Sequence, residues 1–341
     1  MTVTEFRTDP ITGRVAIVVP GRSARPNEHA PPPPSMPADP NCPFCEGNEG
    51  VTPPELAVFA PPGRSPNSRG WYVRTIPNRF PTVATSPVPA AADTGPEPLD
   101  HRPAYGHHEV VIESPAHSPT LAYLPPEQVA RAVRMCRERV RHLSRQPQVG
   151  SVTLFENMGP ESGGSLWHPH AQLVTVPEIS PSLREEIEGS NRYLERHQAR
   201  CAFESVVEEE IEDGQRKLFD SEGFVAYTPF ASSLAYEVRV IPHRHTGSFA
   251  DVTDDEATAL ASHLAGLLRA LLSLLPGASY NFVVRSPVGT DKGIDAYHWH
   301  LDLYPRLVRP DGFDLGSGYS VNTVLPEVAA EALRGALAAK R

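Results

Sequence analysis

Two segments of the chain carry the same order of apolar and polar positions. Residues 109–117, EVVIESPAH, run through β-branched side chains from a glutamate to a histidine, and residues 237–245, EVRVIPHRH, do so at the same offset. Such apolar alternation suits strands with one buried face. Each segment is followed by a polar stretch and then by a pattern of helical period. Val129, Val133, Cys136, Val140 and Leu143 make one apolar stripe; Leu260, Leu264, Leu267 and Leu271 make the other. Prolines just ahead of the first helix, and Asp254, Asp255 and Glu256 at the start of the second, suit helix N-termini.

The parallel extends further. SVTLFEN (151–157) precedes WHPHAQLVTVP, and SYNFVV (279–284) precedes YHWHLDLYP. Each reads as a strand, a loop, and a second strand beginning His-x-His. Upstream, WYVRTIPNRFP (71–81) answers FVAYTPF (224–230), and CPFC (42–45) has an echo in CAFE (201–204). The pattern predicts an α+β fold made of duplicated units, residues 1–178 and 179–341. Each unit would be a mostly antiparallel sheet with a helix packed on one face.

A chain of 341 residues, 40% hydrophobic and 21% charged, can bury the core this requires. Its formal net charge of −10 excludes a nucleic-acid surface but not a nucleotide, which a few local donors can hold. The start MTVTEFRTDP has no apolar leader pattern and no run approaches transmembrane length, so no membrane partner is expected. With Cys42, Cys45, Cys136 and Cys201 as the four cysteines, a reducing, cytoplasmic setting is expected. The 38 prolines cluster at 29–41 and 86–98, which read as extended surface loops.

Cys42-Pro-Phe-Cys45 brings two thiols toward one tetrahedral ion, and the redox alternative lacks its βαβ setting. If the duplication holds, His117 and His168 complete a structural zinc site. The echo predicts a second metal, zinc or iron, from Cys201, Glu204, His245 and His298, with Glu186 or His300 as substitutes.

In SGGSLWHPHAQLV (162–174), alternate residues of a strand share a face, so His168, His170 and Gln172 project together. With His168 on the metal, His170 stands beside it unligated. Asn157, Gly159, Gly163, Gly164 and Ser165 form a loop able to offer hydrogen-bond donors to phosphate oxygens. A neutral imidazole can attack phosphorus and hand the group onward.

These residues carry a resemblance. FENMGPESGGSLWHPHAQ, with DPITGR, PGRSARP, CPFC, IPNRF and ESPAHS, resembles the galactose-1-phosphate uridylyltransferase family of the histidine-triad superfamily. The resemblance implies two histidine-triad-like units, zinc on Cys42, Cys45, His117 and His168, and His170 as the residue that takes the nucleoside monophosphate. It implies that Gln172 contacts the transferred phosphoryl group and that Asn157 and Ser165 contact phosphate. Arg22 and Arg25 would lie near the nucleotide's phosphates, with Asn78 and Phe80 in the base and ribose pocket. It further implies a homodimer that exchanges a nucleotidyl group between UDP-glucose and a hexose 1-phosphate. The small histidine-triad hydrolases carry a histidine where Gln172 stands, so the glutamine points to transfer. The C-terminal GFDLGSGYSVN (312–322) is similar instead to the ADP-glucose phosphorylase branch, which moves an adenylyl group from ADP-glucose to phosphate, and Arg79 stands where uridylyl members are expected to be acidic. A nucleotide-binding protein with a dead site is the alternative outside enzymology, and the pairing of His170 with Gln172 opposes it.

Overall fold

The computed structural model describes residues 3–24, 41–85, 101, 103–118, 120–197, 200–288 and 296–339. Arg25, residues 29–40 and all of 86–98 lie outside these, so the readings made on them are not taken further.

The alternating segments assemble into one ten-stranded sheet in which every ladder is antiparallel. Its first half is built from β3 (Ala57–Phe59), β4 (Val73–Pro77), β5 (His108–Ile112), β6 (Ser151–Met158) and β7 (His170–Val176). The second half comprises β8 (Lys217–Ser221), β9 (Phe224–Tyr227), β10 (Val238–Pro242), β11 (Tyr280–Arg285) and β12 (His300–Pro305). The spatial order β3-β4-β5-β7-β6-β11-β12-β10-β9-β8 is palindromic, with the halves joined where β6 pairs β11. The expected duplication is therefore present in the topology. A separate three-stranded sheet joins β1 (Glu5–Thr8) and β2 (Val15–Val18) to β13 (Ser320–Asn322), tying the first residues to the C-terminal segment.

Ladder register corrects the alignment of the two copies by one residue. Val111 sits opposite Ala171 and Val240 opposite Leu301, the residues that follow His170 and His300. Val111 thus matches Val240, and His108 rather than Glu109 matches Glu237. A one-residue slip in a strand exchanges faces, which the glutamate-to-glutamate match had hidden. Glu109 points toward α1 (Pro126–Leu143), where Arg139 grips it through Nε (2.8 Å) and Nη2 (2.6 Å).

One face of the whole sheet is covered by α1, α4 (Asp254–Leu274) and α6 (Pro326–Ala338). The two predicted stripes are buried there in one core with Ala171, Leu173, Leu154, Leu301 and Leu303. The start of α4 is capped by Thr253 and Glu256, each accepting the other's backbone N–H. By length and composition α4 could cross a membrane, contrary to the sequence expectation, yet its apolar stripe is spent on this core. The opposite face is treated unequally. In the second half it is covered by α2 (Pro181–Arg196) and α3 (Ala202–Asp213), which bury Leu183, Ile187 and Phe203 against Val225, Tyr227 and Ile241. In the first half, among the described residues, it carries a small cluster of Trp71, Ile76, Val110 and Ile112, with Phe44 packed on it. A short helix, α5 (Gly312–Ser317), precedes β13.

Candidate functional site

On the sparsely covered face, the CPFC turn meets the strand His117 follows and the strand His170 begins. The Sγ atoms of Cys42 and Cys45 and a ring nitrogen each of His117 and His168 all lie within 4.8 Å of one another. Individual Sγ···Nδ1 separations are 3.6 Å (Cys42–His168), 3.5 Å (Cys45–His117) and 3.6 Å (Cys45–His168). Ligands of a tetrahedral zinc, at ordinary Zn–S and Zn–N lengths, stand about 3.6 Å apart. His168 Nε2–H donates to the Ser114 carbonyl (2.7 Å), leaving the Nδ1 lone pair toward the thiols. Burial pushes His168 down to about 4, so the ring is neutral and ligand-ready. The donor set fits a metal ion.

Phe44, between the two thiols, lays its ring edge against His170, with centroids 5.1 Å apart. His170 Nδ1 is 2.7 Å from the His168 carbonyl, which can only accept. The proton therefore sits on Nδ1 and Nε2 keeps its lone pair. Burial lowers the ring's pKa, with the His168 carbonyl bond working the other way. Next on the same face is Gln172, whose Oε1 lies 3.0 Å from His108 Nε2 and 3.4 Å from Asn78 Nδ2. Asn78 Oδ1 accepts the Phe80 backbone N–H (2.8 Å), and the Phe80 ring is 82% exposed with Arg79 beside it.

The loop after β6 supplies the opposite wall. Asn157 Oδ1 accepts from Asn281 Nδ2 of β11 (2.7 Å), which also donates to the Ser162 carbonyl (2.9 Å). Gly163 is left-handed (φ +84°), and a Cβ on Gly164 would come within 2.7 Å of the Asn157 carbonyl oxygen. Both positions need glycine for this loop to fold tightly. Gly159 (φ +87°) is buried at the loop's start and Ser165 is exposed at its end. Arg22 instead pairs with Asp311 (3.0 Å), the N-cap of α5, linking it to the C-terminal segment.

Of the second predicted metal set, Cys201, Glu204 and His245 come together, with His245 Nδ1 3.0 Å from Glu204. His298, expected as fourth ligand, does not join them. Its ring centroid is 5.0 Å from that of His245, but its Nδ1 is 3.3 Å from the Trp299 carbonyl. Glu186 and His300 group instead with Asp302, all three buried. This cluster is already compensated by cations: Asp302 is held by Arg239 through 2.8 and 3.0 Å bonds, and Arg285 is 3.6 Å from Asp302 and 3.8 Å from Glu186.

Sequence reading missed His108, Asn281 and Phe44, although the last two lie inside quoted segments and His108 immediately precedes one. The signal for His108 was parity, since it shares a strand face with Val110 and Ile112, the partners of Gln172 and His170. Asn281 carried no such signal, because its partner loop is more than a hundred residues away.

Known proteins bear on this arrangement. Residues 1–179 match the model of the galactose-1-phosphate uridyl transferase N-terminal domain. An ADP-glucose phosphorylase of Arabidopsis thaliana is 30% identical, over 97% of this chain and 92% of its own. A galactose-1-phosphate uridylyltransferase of Thermotoga maritima is 27% identical, over 97% and 98%. Among solved structures, an Arabidopsis thaliana ADP-glucose phosphorylase with bound ADP-glucose superposes with a TM-score of 0.81 at 28% identity, covering 98% of each chain. A uridylyltransferase does so at 0.75 and 27%, covering 99% of each. With its palindromic sheet, its Cys2His2 cluster and a matching family model over more than half its length, the chain belongs to the galactose-1-phosphate uridylyltransferase family.

Proposed function

We propose that this nucleotidyltransferase passes a nucleoside monophosphate between a nucleotide sugar and a phosphate-bearing acceptor through His170. The observation that carries the reading is the His170 tautomer: Nδ1–H is spent on the His168 carbonyl, so Nε2 faces the site as a nucleophile. Nε2 attacks the α-phosphorus, an Nε2–P bond forms, and the bridging P–O bond breaks with its electron pair leaving on hexose 1-phosphate. A second acceptor's phosphate oxygen then attacks the same phosphorus and Nε2 departs. Gln172 and Asn157 offer amide N–H groups to the phosphoryl oxygens, with the Gly159–Ser165 loop around them. Phe80 and Asn78 receive the base and ribose, and Arg22, paired with Asp311, serves the nucleotide phosphates.

Cys42, Cys45, His117 and His168 would hold a zinc ion, which would supply cross-linking rather than chemistry. The CPFC turn, and hence Phe44, would thereby be fastened beside His170. Cys201, Glu204 and His245 would hold a second zinc or iron. The units divide at residues 178 and 179, and the working form is a cytoplasmic homodimer.

The leading reading is uridylyl exchange between UDP-glucose and a hexose 1-phosphate, the activity named for most of the relatives. The second is adenylyl transfer from ADP-glucose to phosphate, favoured by the 30% identical relative and by the form of residues 312–322. Intact mass after brief incubation with each nucleotide sugar, kept alkaline because phosphoramidates are acid-labile, separates them. A UMP-sized gain supports the first and an AMP-sized gain the second. No gain with either, or a gain retained in His170→Ala, overturns the covalent reading.

A further inference from the structure

A side-chain amide serves a phosphoryl oxygen in only one of its two orientations, with N–H outward and C=O turned away. Gln172 and Asn157 both face this choice, and a free amide would spend half its time wrong. We propose that His108 and Asn281 are positioning residues that hold Gln172 and Asn157 with their N–H groups toward the reacting phosphate. The proposal rests on the reading of His170 as nucleotidyl acceptor.

Each chain of bonds starts at a backbone group whose polarity cannot change. The Thr82 N–H can only donate, and it lies 3.0 Å from His108 Nδ1. Nδ1 must therefore accept, and the neutral ring carries its proton on Nε2. Nε2–H then points at Gln172 3.0 Å away, and the atom it meets must be the oxygen. A second chain reaches the same oxygen. The Phe80 N–H donates to Asn78 Oδ1 (2.8 Å), which turns Asn78 Nδ2 toward Gln172 Oε1 (3.4 Å). Asn78 Nδ2 and His108 Nε2 are 3.0 Å apart because both donors aim at that one acceptor. With Oε1 held from two sides, the Gln172 NH2 has only the site to face.

The second amide is set in the same way from the other half of the sheet. The Ser162 carbonyl can only accept, so the Asn281 atom 2.9 Å from it is nitrogen. That nitrogen also lies 2.7 Å from Asn157, whose facing atom must be oxygen. The Asn157 NH2 is left over the loop, 4.0 Å from where a Cβ of Gly163 would stand. The same logic fixes His170 through the His168 carbonyl. All three groups proposed to touch the phosphoryl group are thus oriented from invariant backbone atoms, and such preorganisation avoids reorganisation during reaction.

The test is a coupling measurement. His108→Phe keeps a ring but removes Nε2–H, and it is made in the wild-type and in Gln172→Ala backgrounds. The rate of nucleotidyl-His170 formation is followed by quenched intact mass with UDP-glucose and ADP-glucose. In the wild-type background we expect a loss of about tenfold or more, with half-saturation by the nucleotide sugar little changed. In Gln172→Ala the same substitution should cost less than about twofold, since its partner is gone. Asn281→Leu should behave likewise against Asn157→Ala. Equal losses in both backgrounds, or none in either, overturn the proposal. NMR of the histidine ring nitrogens in the wild-type protein gives a reading that needs no variant. An Nε2–H tautomer at His108 is expected, and an Nδ1–H tautomer sinks the idea even if His108→Phe fails to fold. If wild-type protein forms no adduct, the His170 reading fails, while the tautomer measurement still decides the role of His108.

Discussion

The two halves of the sheet carry the same His-x-His strand in contrasting surroundings. Aligned by ladder register, His170 matches His300, Gln172 matches Asp302, Asn157 matches Arg285 and Val110 matches Arg239. Even the bond to the carbonyl two residues back is repeated, with His300 Nδ1 3.1 Å from the His298 oxygen. Around His170 stand neutral amides and the Phe44 ring, and no helix lies over them among the described residues. Around His300 stand a carboxylate and two guanidinium groups, under α2 and α3, with the Phe203 ring 5.1 Å from the imidazole. The Arg239 guanidinium holds Asp302 well below the usual carboxylate range, so this network stays ionised and locked. The histidine pair alone therefore does not make a site. The neighbours on the adjacent strands differ in charge, and so does what packs over them.

The most demanding check on that contrast is to remove each histidine in turn. His170→Ala should lower nucleotidyl exchange by at least about 10⁴-fold, as removal of a covalent nucleophile does. His300→Ala should leave the exchange rate of the remaining folded protein within about threefold. Comparable losses in both, measured by steady-state exchange, would break the comparison.

Stability should divide the halves the other way. Asp302→Ala strips the carboxylate from buried Arg239 and half-buried Arg285 and should cost about 3–5 kcal/mol in denaturant unfolding. Gln172→Ala, half-buried and uncharged, should cost about 1 kcal/mol or less. A smaller difference is expected between the cysteines. Cys42→Ala should lose a bound metal and about 2–3 kcal/mol, with metal content read by mass spectrometry. Cys201→Ala should remove less, because two of its partners, Glu204 and His245, are not buried. Loss of all bound metal from Cys201→Ala would contradict this ranking.

The smallest effect concerns the core face. Glu113 and Glu156, both fully buried and hydrogen-bonded to each other, occupy the first half where Pro242 and Val284 stand in the second. Burial pushes Glu156 up to about 8 and Glu113 well above its ordinary value. The folded chain keeps protons that the unfolded chain releases near pH 4.3, so stability falls as pH rises from there toward 8. Glu156→Gln should flatten that fall and raise Tm at pH 8 by about 2 °C. An unchanged slope between pH 5 and 8 would show that the pair is not protonated in the fold.

The duplicated strand pattern and both long helices were legible because their signals are local, whereas the joining of both halves into one sheet through β6 and β11 was not. Val129 to Leu143 and Leu260 to Leu271 repeat at helical spacing, and His168, His170 and Gln172 alternate along one strand. The covering helices α2 and α3 were not, since their apolar residues are few and follow no long stripe beside the run EEEIED. His298 was misplaced because ring orientation is set by the Trp299 carbonyl, a contact that spacing does not encode.

The amino-acid sequence by itself determined the duplication, the Cys42-Cys45-His117-His168 set and the identity of the residue next to it, all of which depend on periodicity and residue type. Only the tertiary structure showed how differently the two histidine strands are surrounded. Burial and charge around a side chain come from distant segments, such as Glu186 on His300's side and Asn281 on Asn157's. Hydrogen-bond polarity likewise passes from Thr82 through His108 on β5 to Gln172 on β7, and no single stretch of chain contains it.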